Sequence, residues 1–145
     1  MNHFPQFVDA IKRSAVRANH RRIVMICGEQ AWGISLLESV MTARQYLWIG
    51  QANQCTSVAM DKVNTVLGRE YSMLIFNAYS GFNPDSFGQS VGTLVGGGIC
   101  FIIAPPDKQW LEYNDPDAVR YLASPAEQGL ENHYFIQRLI ALINA

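Results

Sequence analysis

The sequence lacks most of the features that mark membrane-embedded, secreted or metal-binding proteins. No apolar stretch reaches the roughly 18 residues needed to span a bilayer, and the first residues contain no apolar core of a signal peptide. The cysteines number three and form no CxxC pair, and the three histidines lie far apart. We therefore expect a cytoplasmic protein with buried free thiols, no metal site and no association with membranes.

Charge is also scarce. Charged residues make up 16% of the 145 residues, hydrophobic residues make up 49%, and the formal net charge is −1. This balance is typical of one folded globular domain. It supplies no overall field that would attract nucleic acid or an acidic membrane, so any such attraction must come from a local cluster of charge.

Apolar residues alternate along the chain between helical spacing and short continuous runs. Helical spacing predicts helices over about 4–19, 33–45, 58–67, 84–95 and 131–144. Continuous apolar runs predict strands over 23–27, 46–50, 72–78 and 99–104. Asn83 is the expected cap of the helix that begins at Pro84. The segment 107–130 is rich in Asp, Pro and Gly and is expected to be irregular.

Strands that are apolar throughout, alternating with helices, indicate a parallel sheet covered on both faces. The sequence therefore predicts an α/β fold, a Rossmann-like three-layer sandwich around a mostly parallel four-stranded sheet. Our expectation for the strand order is 2-1-3-4. Residues 1–145 contain no internal linker and are expected to form a single domain. The last predicted helix has a wider apolar arc than one packing face needs, which indicates a further neighbour.

Three consecutive glycines stand directly before the fourth strand. In a phosphate-binding loop, glycines follow a strand and precede a helix, whose N–H groups face the anion. Here the predicted order is helix, glycines, strand. We therefore expect Gly96, Gly97 and Gly98 to end a helix in a tight turn and to bind no nucleotide.

The segment from Gly28 to Ser35 has the opposite order and nearly matches the Walker A pattern GxxxxGK[ST]. Ile34 stands where that pattern has lysine, so no ammonium neutralises the β- and γ-phosphates. The third strand ends in Asn77, so no acidic residue is placed there to hold Mg²⁺. ATPase activity is not expected, while a weaker anion or adenosine site at this helix N-terminus stays open.

Polar and aromatic residues follow the predicted strands at the edge where parallel α/β sheets bind ligands. None of them forms a recognisable nucleophile–base pair, and solvated loop residues explain the same pattern. They are candidates for the wall of a pocket or for contact with a partner domain. These sheet-edge candidates are Glu29, Trp32, Asn77 and Ser80.

Basic residues are concentrated near the N-terminus, where five of the eleven Lys and Arg residues fall within eleven positions. Such a cluster suits RNA phosphates. A solvated helix face explains the same pattern, and no aromatic residues are interleaved to stack on bases. The candidates for RNA contact are Lys12, Arg13, Arg17, Arg21 and Arg22.

A series of motifs runs in order along essentially the whole chain. They are CGEQAW (27–32), VLGREY (66–71), FNAYSGFNPDSFGQSVGTLVGGG (76–98), Pro105, Trp110 and HYFIQRLIALI (133–143). In order and spacing they resemble the N-terminal domain of the bacterial tRNA(Met) cytidine acetyltransferases. That family often has aspartate where this chain has Asn77, which weakens an acidic role for that residue.

The resemblance implies a longer parent enzyme that acetylates the exocyclic amine of the wobble cytidine in elongator tRNA(Met). It implies downstream ATPase and acetyltransferase domains in the same polypeptide, with acetyl-CoA, ATP and Mg²⁺ as cofactors of the parent. This chain contains no GxGK[ST] motif and no pyrophosphate loop for acetyl-CoA. It is therefore expected to be an N-terminal fragment with no catalytic residues, no cofactor of its own and no activity alone.

The leading hypothesis is a non-catalytic domain that packs on the ATPase module and contacts tRNA(Met) through the cluster from Lys12 to Arg22. One alternative is a stand-alone domain that binds a nucleotide or small molecule in the loops after the first and third strands. The other alternative is a purely structural interaction module.

Overall fold

Four parallel strands form the central sheet. In a computed structural model that describes residues 3–41, 45–124 and 133–145, they lie in the order β1-β4-β3-β2. The expected α/β class and parallel sheet are confirmed, whereas the expected order 2-1-3-4 is wrong. The strands are β1 (Arg22–Cys27), β2 (Tyr46–Ile49), β3 (Tyr71–Asn77) and β4 (Leu94–Ala104).

The position of β1 at an edge of the sheet explains the wrong order. The expected order placed β1 in the interior of the sheet, but within the described part of the chain it pairs with β4 alone. The side chain of Ile23 is 58% exposed, and Cys27 is exposed rather than buried as expected. Cys100, on the central strand β4, is buried, and burial raises the pKa of its thiol to about 12. Apolar composition does not reveal how many neighbours a strand has.

Helices cover both faces of the sheet and give the three layers. α1 (Phe4–Ala18) and α2 (Gln30–Glu38) pack on one face. α3 (Pro84–Val91), α4 (Asp107–Glu112) and α5 (Tyr134–Ile143) pack on the other. In the described part of the chain, no helix is both long enough and apolar enough to cross a bilayer.

Several predicted boundaries differ from those observed. The helix expected over 58–67 is a 3₁₀ helix over Met60–Val66, and the segment expected to be irregular contains α4 and another 3₁₀ helix over Pro116–Tyr121. Parts of the predictions over 33–45, 107–130 and 131–144 lie outside the described residues. The expected cap of α3 is confirmed, because Asn83 Oδ1 accepts a hydrogen bond from the N–H of Ser86 at 3.0 Å.

The three glycines lie within β4 and not in a turn, since α3 already ends at Val91. A Cβ atom at Gly96 would overlap Oδ1 of Asn19, and one at Gly97 would lie 3.1 Å from Cα of Val16. Gly97 also has a positive φ of 80°. Gly96 and Gly97 therefore let the C-terminal end of α1 rest directly on the backbone of the central strand.

Candidate functional site

The structure places the two predicted groups of residues at different ends of the strands. The sheet-edge candidates follow the carboxyl ends of β1 and β3. The basic candidates lie on α1 and just after it, where the chain meets Leu94 at the amino end of β4. The two groups therefore do not form one site.

Asn77 and Ser80 hold the loop that follows β2. Asn77 Nδ2 donates to the carbonyl oxygen of Gln51 at 2.8 Å, and Ser80 Oγ accepts from the N–H of Gln51 at 2.8 Å. Asn77 Oδ1 accepts from the N–H of Tyr79 at 3.1 Å, and the Asn77 side chain is completely buried. An aspartate at position 77 would lose the N–H that reaches Gln51, so the amide fits this site better than a carboxylate.

Two tyrosines that sequence reasoning missed connect the other loops at the carboxyl ends of the strands by hydrogen bonds. Tyr79 donates its hydroxyl to the carbonyl oxygen of Gly28 at 2.6 Å, and Tyr113 donates to the carbonyl oxygen of Tyr79 at 2.6 Å. Burial raises the pKa of both phenols, which keeps them protonated as donors. The loops after β1 and β3 are thereby fixed to each other and to the segment after α4.

Glu29 and Trp32 lie at the surface of the same edge. Glu29 is the residue before α2, and its side chain makes no capping hydrogen bond. Trp32 is 51% exposed, and its ring lies so close to Gly28 that a Cβ atom there would be 2.9 Å away. Their part in binding a ligand or partner stays a prediction.

The segment that nearly matches Walker A does not form a phosphate-binding loop. α2 begins at Gln30, so two residues separate the strand from the helix. Gly33 lies inside α2, where a Cβ atom would be 2.9 Å from Cγ2 of Ile103, and Ile34 is buried. This second glycine serves the packing of helix on sheet, and the residue at the lysine position belongs to the core.

Three cations lie along one flank of α1. Lys12, Arg13 and Arg17 line an open depression together with Asp9 and Val16. Among the described residues, no carboxylate lies within 4 Å of the three cations. Their charge is therefore available to an external anion.

The other two basic residues of the cluster, Arg21 and Arg22, make different contacts. Arg21 donates Nε to the carbonyl oxygen of Leu94 at 2.6 Å and lines a second open depression with His20. Arg22 donates Nη2 to Oγ of Ser14 at 3.4 Å, and Arg22 is half-buried. We therefore define the basic surface as Lys12, Arg13, Arg17 and Arg21, and leave out Arg22, whose half-buried side chain donates to Ser14.

Comparison with known proteins agrees with the motifs. The family model described as "tRNA(Met) cytidine acetyltransferase TmcA, N-terminal" matches residues 1–145. The chain belongs to this family. The resemblance inferred from the sequence is thus confirmed.

Relatives of this TmcA N-terminal domain are much longer proteins. The chain is 28% identical to tRNA(Met) cytidine acetyltransferase TmcA of Nitrosococcus halophilus over 97% of its own length, and 29% identical to that of Salmonella typhimurium over 91%. It is 31% identical to that of Citrobacter koseri over 82%. The chain spans about one fifth of the length of these relatives, 20%, 20% and 18% respectively.

The longest motif of the TmcA N-terminal domain now has a structural role. The block over 76–98 runs from the end of β3 through α3 into β4. It includes Asn77 and Ser80, which position Gln51, and the glycines on which α1 rests. Among the described residues, no group of His, Cys, Asp and Glu is arranged to hold a metal ion.

Proposed function

We propose that this chain is the non-catalytic N-terminal domain of an enzyme that acetylates N4 of the wobble cytidine in tRNA(Met). In this proposal acetyl-CoA, ATP and Mg²⁺ serve ATPase and acetyltransferase domains farther along the polypeptide. The contribution of this domain is to hold RNA phosphates on the basic surface and to pack on the ATPase module.

The observation that carries the RNA contact is the unpaired charge of the basic surface. Elsewhere in the described residues, Lys62 lies 3.6 Å from Asp61 and Arg120 lies 2.8 Å from Asp117. Among the described residues, no carboxylate lies within 4 Å of Lys12, Arg13 or Arg17, which line one depression on α1. Cations in this arrangement bind a phosphate backbone and release its counterions, which gives sequence-independent affinity.

The exposed face of α5 supports packing on a further domain. Ile136 and Ile140 are buried in the core on this side of the sheet, but Phe135, Leu142 and Ile143 are 47%, 62% and 43% exposed. This is the wide apolar arc that the sequence indicated. A neighbouring domain of the much longer parent would remove these side chains from water.

The RNA contact is tested by neutralising charge on the basic surface of the 145-residue chain. Arg13→Gln with Arg17→Gln removes two positive charges from the basic surface, and Lys108→Gln with Arg138→Gln removes two from exposed positions elsewhere. Affinity for tRNA(Met) is measured at several salt concentrations. The first pair should weaken binding and reduce the slope of log K against log salt by about 1.4, from about 0.7 for each lost single-strand phosphate contact.

The control pair should leave the slope within error of the unsubstituted chain. Equal effects of the two pairs would mean that net charge, and not the basic surface, governs binding of RNA. No effect of either pair would refute the RNA contact. In that last case the purely structural alternative, which depends only on the exposed face of α5, becomes the better explanation.

A further inference from the structure

A partly enclosed cavity of about 250 Å³ opens beside the basic surface. It lies between α1, the C-terminal end of α2 and the first residues of β2 and β3. Val8, Met41 and Met73 supply apolar lining, and Tyr46 supplies an aromatic ring. Pockets for drug-sized ligands measure roughly 300–1,000 Å³, so this cavity suits a single ring system rather than a whole nucleotide.

The polar lining of the cavity is rich in hydrogen-bond acceptors. Ser39 donates its hydroxyl to the carbonyl oxygen of Leu36 at 2.6 Å, and Ser72 donates its hydroxyl to the carbonyl oxygen of Gln45 at 3.2 Å. Each hydroxyl has thus used its hydrogen and retains oxygen lone pairs. Asp9 also lines the cavity, and no described cation lies within 4 Å of it. Such a lining favours a guest that donates hydrogen bonds.

Lys12 joins the cavity to the basic surface. It lines the cavity and also the open depression that contains Arg13 and Arg17. A group inside the cavity therefore lies next to a run of cations on the same helix. This neighbourhood favours a guest whose own attachment carries negative charge.

We propose that the cavity receives one unstacked base of single-stranded RNA, a base that carries an exocyclic amino group, while Lys12, Arg13 and Arg17 hold the adjoining phosphates. This inference rests on the proposed RNA contact. Proteins that read RNA sequence mostly bind unpaired bases splayed from the strand. Tyr46 supplies from β2 the aromatic ring that the basic segment itself lacks.

The four methionines of the described residues provide a test in the unaltered chain. Met41 and Met73 line the cavity, whereas Met25 and Met60 pack on the opposite face of the sheet. With ¹³C-labelled methionine methyl groups, addition of oligo(rA) or oligo(rC) should shift the signals of Met41 and Met73. The signals of Met25 and Met60 should stay in place and serve as controls within the same molecule.

The guest itself is identified by comparing strands. Oligo(rA) and oligo(rC) should bind about tenfold more tightly than an abasic strand of the same length, at the lower end of the range for base–aromatic stacking. Oligo(rU), whose base has no exocyclic amine, should bind more tightly than the abasic strand and less tightly than oligo(rA) or oligo(rC). The inference would be overturned if the abasic strand bound as tightly as oligo(rA), or if it shifted the signals of Met41 and Met73 by as much as oligo(rA) does.

A filled cavity should abolish the preference for bases. Ser39→Trp places an indole at the lining, and Ser35→Trp, one turn earlier on α2, makes the same change at an exposed position outside the cavity. The first variant should bind oligo(rA) and the abasic strand equally, and the second should retain the tenfold preference. Retention by both variants would count against the cavity as the binding place.

The two proposals fail in different ways. If no RNA of any kind binds the chain, the proposed RNA contact and the base cavity both fall. If intact and abasic strands bind alike and neutralisation of Arg13 and Arg17 weakens both, the phosphate contact stands and the cavity alone is refuted.

Discussion

Asn77, at the end of β3, donates its amide N–H to the carbonyl oxygen of Gln51, in the loop after β2, at 2.8 Å. The neighbouring hydroxyl of Ser80 accepts from the N–H of the same residue at 2.8 Å. Trp48 Nε1 also donates to the carbonyl oxygen of Gln51 at 2.9 Å, so side chains satisfy both backbone groups of this residue. These hydrogen bonds fix the carboxyl end of β2 relative to that of β3.

Asn77→Asp should lower the free energy of unfolding by about 1–3 kcal/mol, because it places a buried carboxylate against the carbonyl oxygen of Gln51, to which only Trp48 Nε1 then donates. The loss should decrease at acidic pH, where a protonated carboxyl regains a donor. Urea unfolding at pH 7 and pH 4 measures both effects. Asn53→Asp, at an exposed position of the loop after β2, is the control and should change stability by less than about 0.5 kcal/mol. Equal losses in the two variants would contradict the assigned role of Asn77.

Two Gly→Ala substitutions should have opposite signs. Gly97→Ala should destabilise the domain by at least about 1–2 kcal/mol, because residue 97 has a φ of 80° and its Cβ would lie 3.1 Å from Cα of Val16. Gly88→Ala should stabilise it by about 0.5–1 kcal/mol, since Gly88 lies within α3 with nothing within 4 Å of its added Cβ. Thermal and urea unfolding check both signs. A stabilising Gly97→Ala would show that α1 does not rest on the strand as described.

The glycines also show where sequence reasoning failed and why. Their order, after a predicted helix and before a strand, correctly separated them from a phosphate-binding loop pattern. It did not reveal that they belong to the strand, because their reason is the close approach of Val16 and Asn19, which are distant in sequence. Contacts between distant segments leave no periodic signal in a single sequence.

The basic cluster also shows which features could not be predicted from the sequence. Sequence proximity grouped five cations, but a helix separates its residues by angle as well as by distance. Lys12, Arg13 and Arg17 line one depression, whereas Arg22 is half-buried and donates to Ser14. The parallel sheet was predictable from apolar runs alone, and the strand order was not, because β1 is as apolar as an interior strand.

Asp115 should make stability fall as pH rises above the ordinary carboxyl range. Its carboxylate accepts from the N–H groups of Phe82 and Asp117 at 2.9 Å and 2.7 Å. Burial raises its pKa above the ordinary value of 3.8 despite these two bonds. A raised pKa means that the folded state binds the proton more tightly than the unfolded state, so the contribution of this group is lost as pH rises through the folded pKa.

Asp115→Asn removes this titration. The free energy of unfolding of the unsubstituted chain minus that of the variant should therefore decrease as pH rises from about 4 through the folded pKa. Urea titrations at closely spaced pH values give this difference directly. A difference that increases with pH would mean that the two backbone N–H groups outweigh burial.

The carboxyl edge of the sheet should not bind ATP, NAD or acetyl-CoA. The polar groups of Asn77 and Ser80 are occupied by Gln51, and Glu29 places negative charge beside the start of α2. Calorimetry and thermal shift with each compound at millimolar concentration should show no saturable binding. Saturable heat that Trp32→Ala removes would restore the small-molecule alternative at this edge.

The exposed face of α5 should matter only in the longer parent. Leu142→Gln with Ile143→Gln should leave the unfolding of the 145-residue chain nearly unchanged, because exposed substitutions usually alter stability by less than about 0.5 kcal/mol. In the full-length protein the same pair should lower the melting temperature. Leu67→Gln, at a position that is also exposed, is the control and should have no effect in either protein. An unchanged melting temperature of the parent would argue against packing through α5.

The contact of α1 with the glycines of β4 has a mechanical consequence. Helices that pack through long side chains slide by rotamer changes, but here backbone meets backbone, and Arg21 adds a hydrogen bond to Leu94. Arg17 and Arg21 are therefore anchored to the same eleven-residue strand whose far end leads into α4. In the proposed RNA contact, the position of the sheet therefore sets the orientation of the bound strand of RNA, because α1 cannot shift independently of β4.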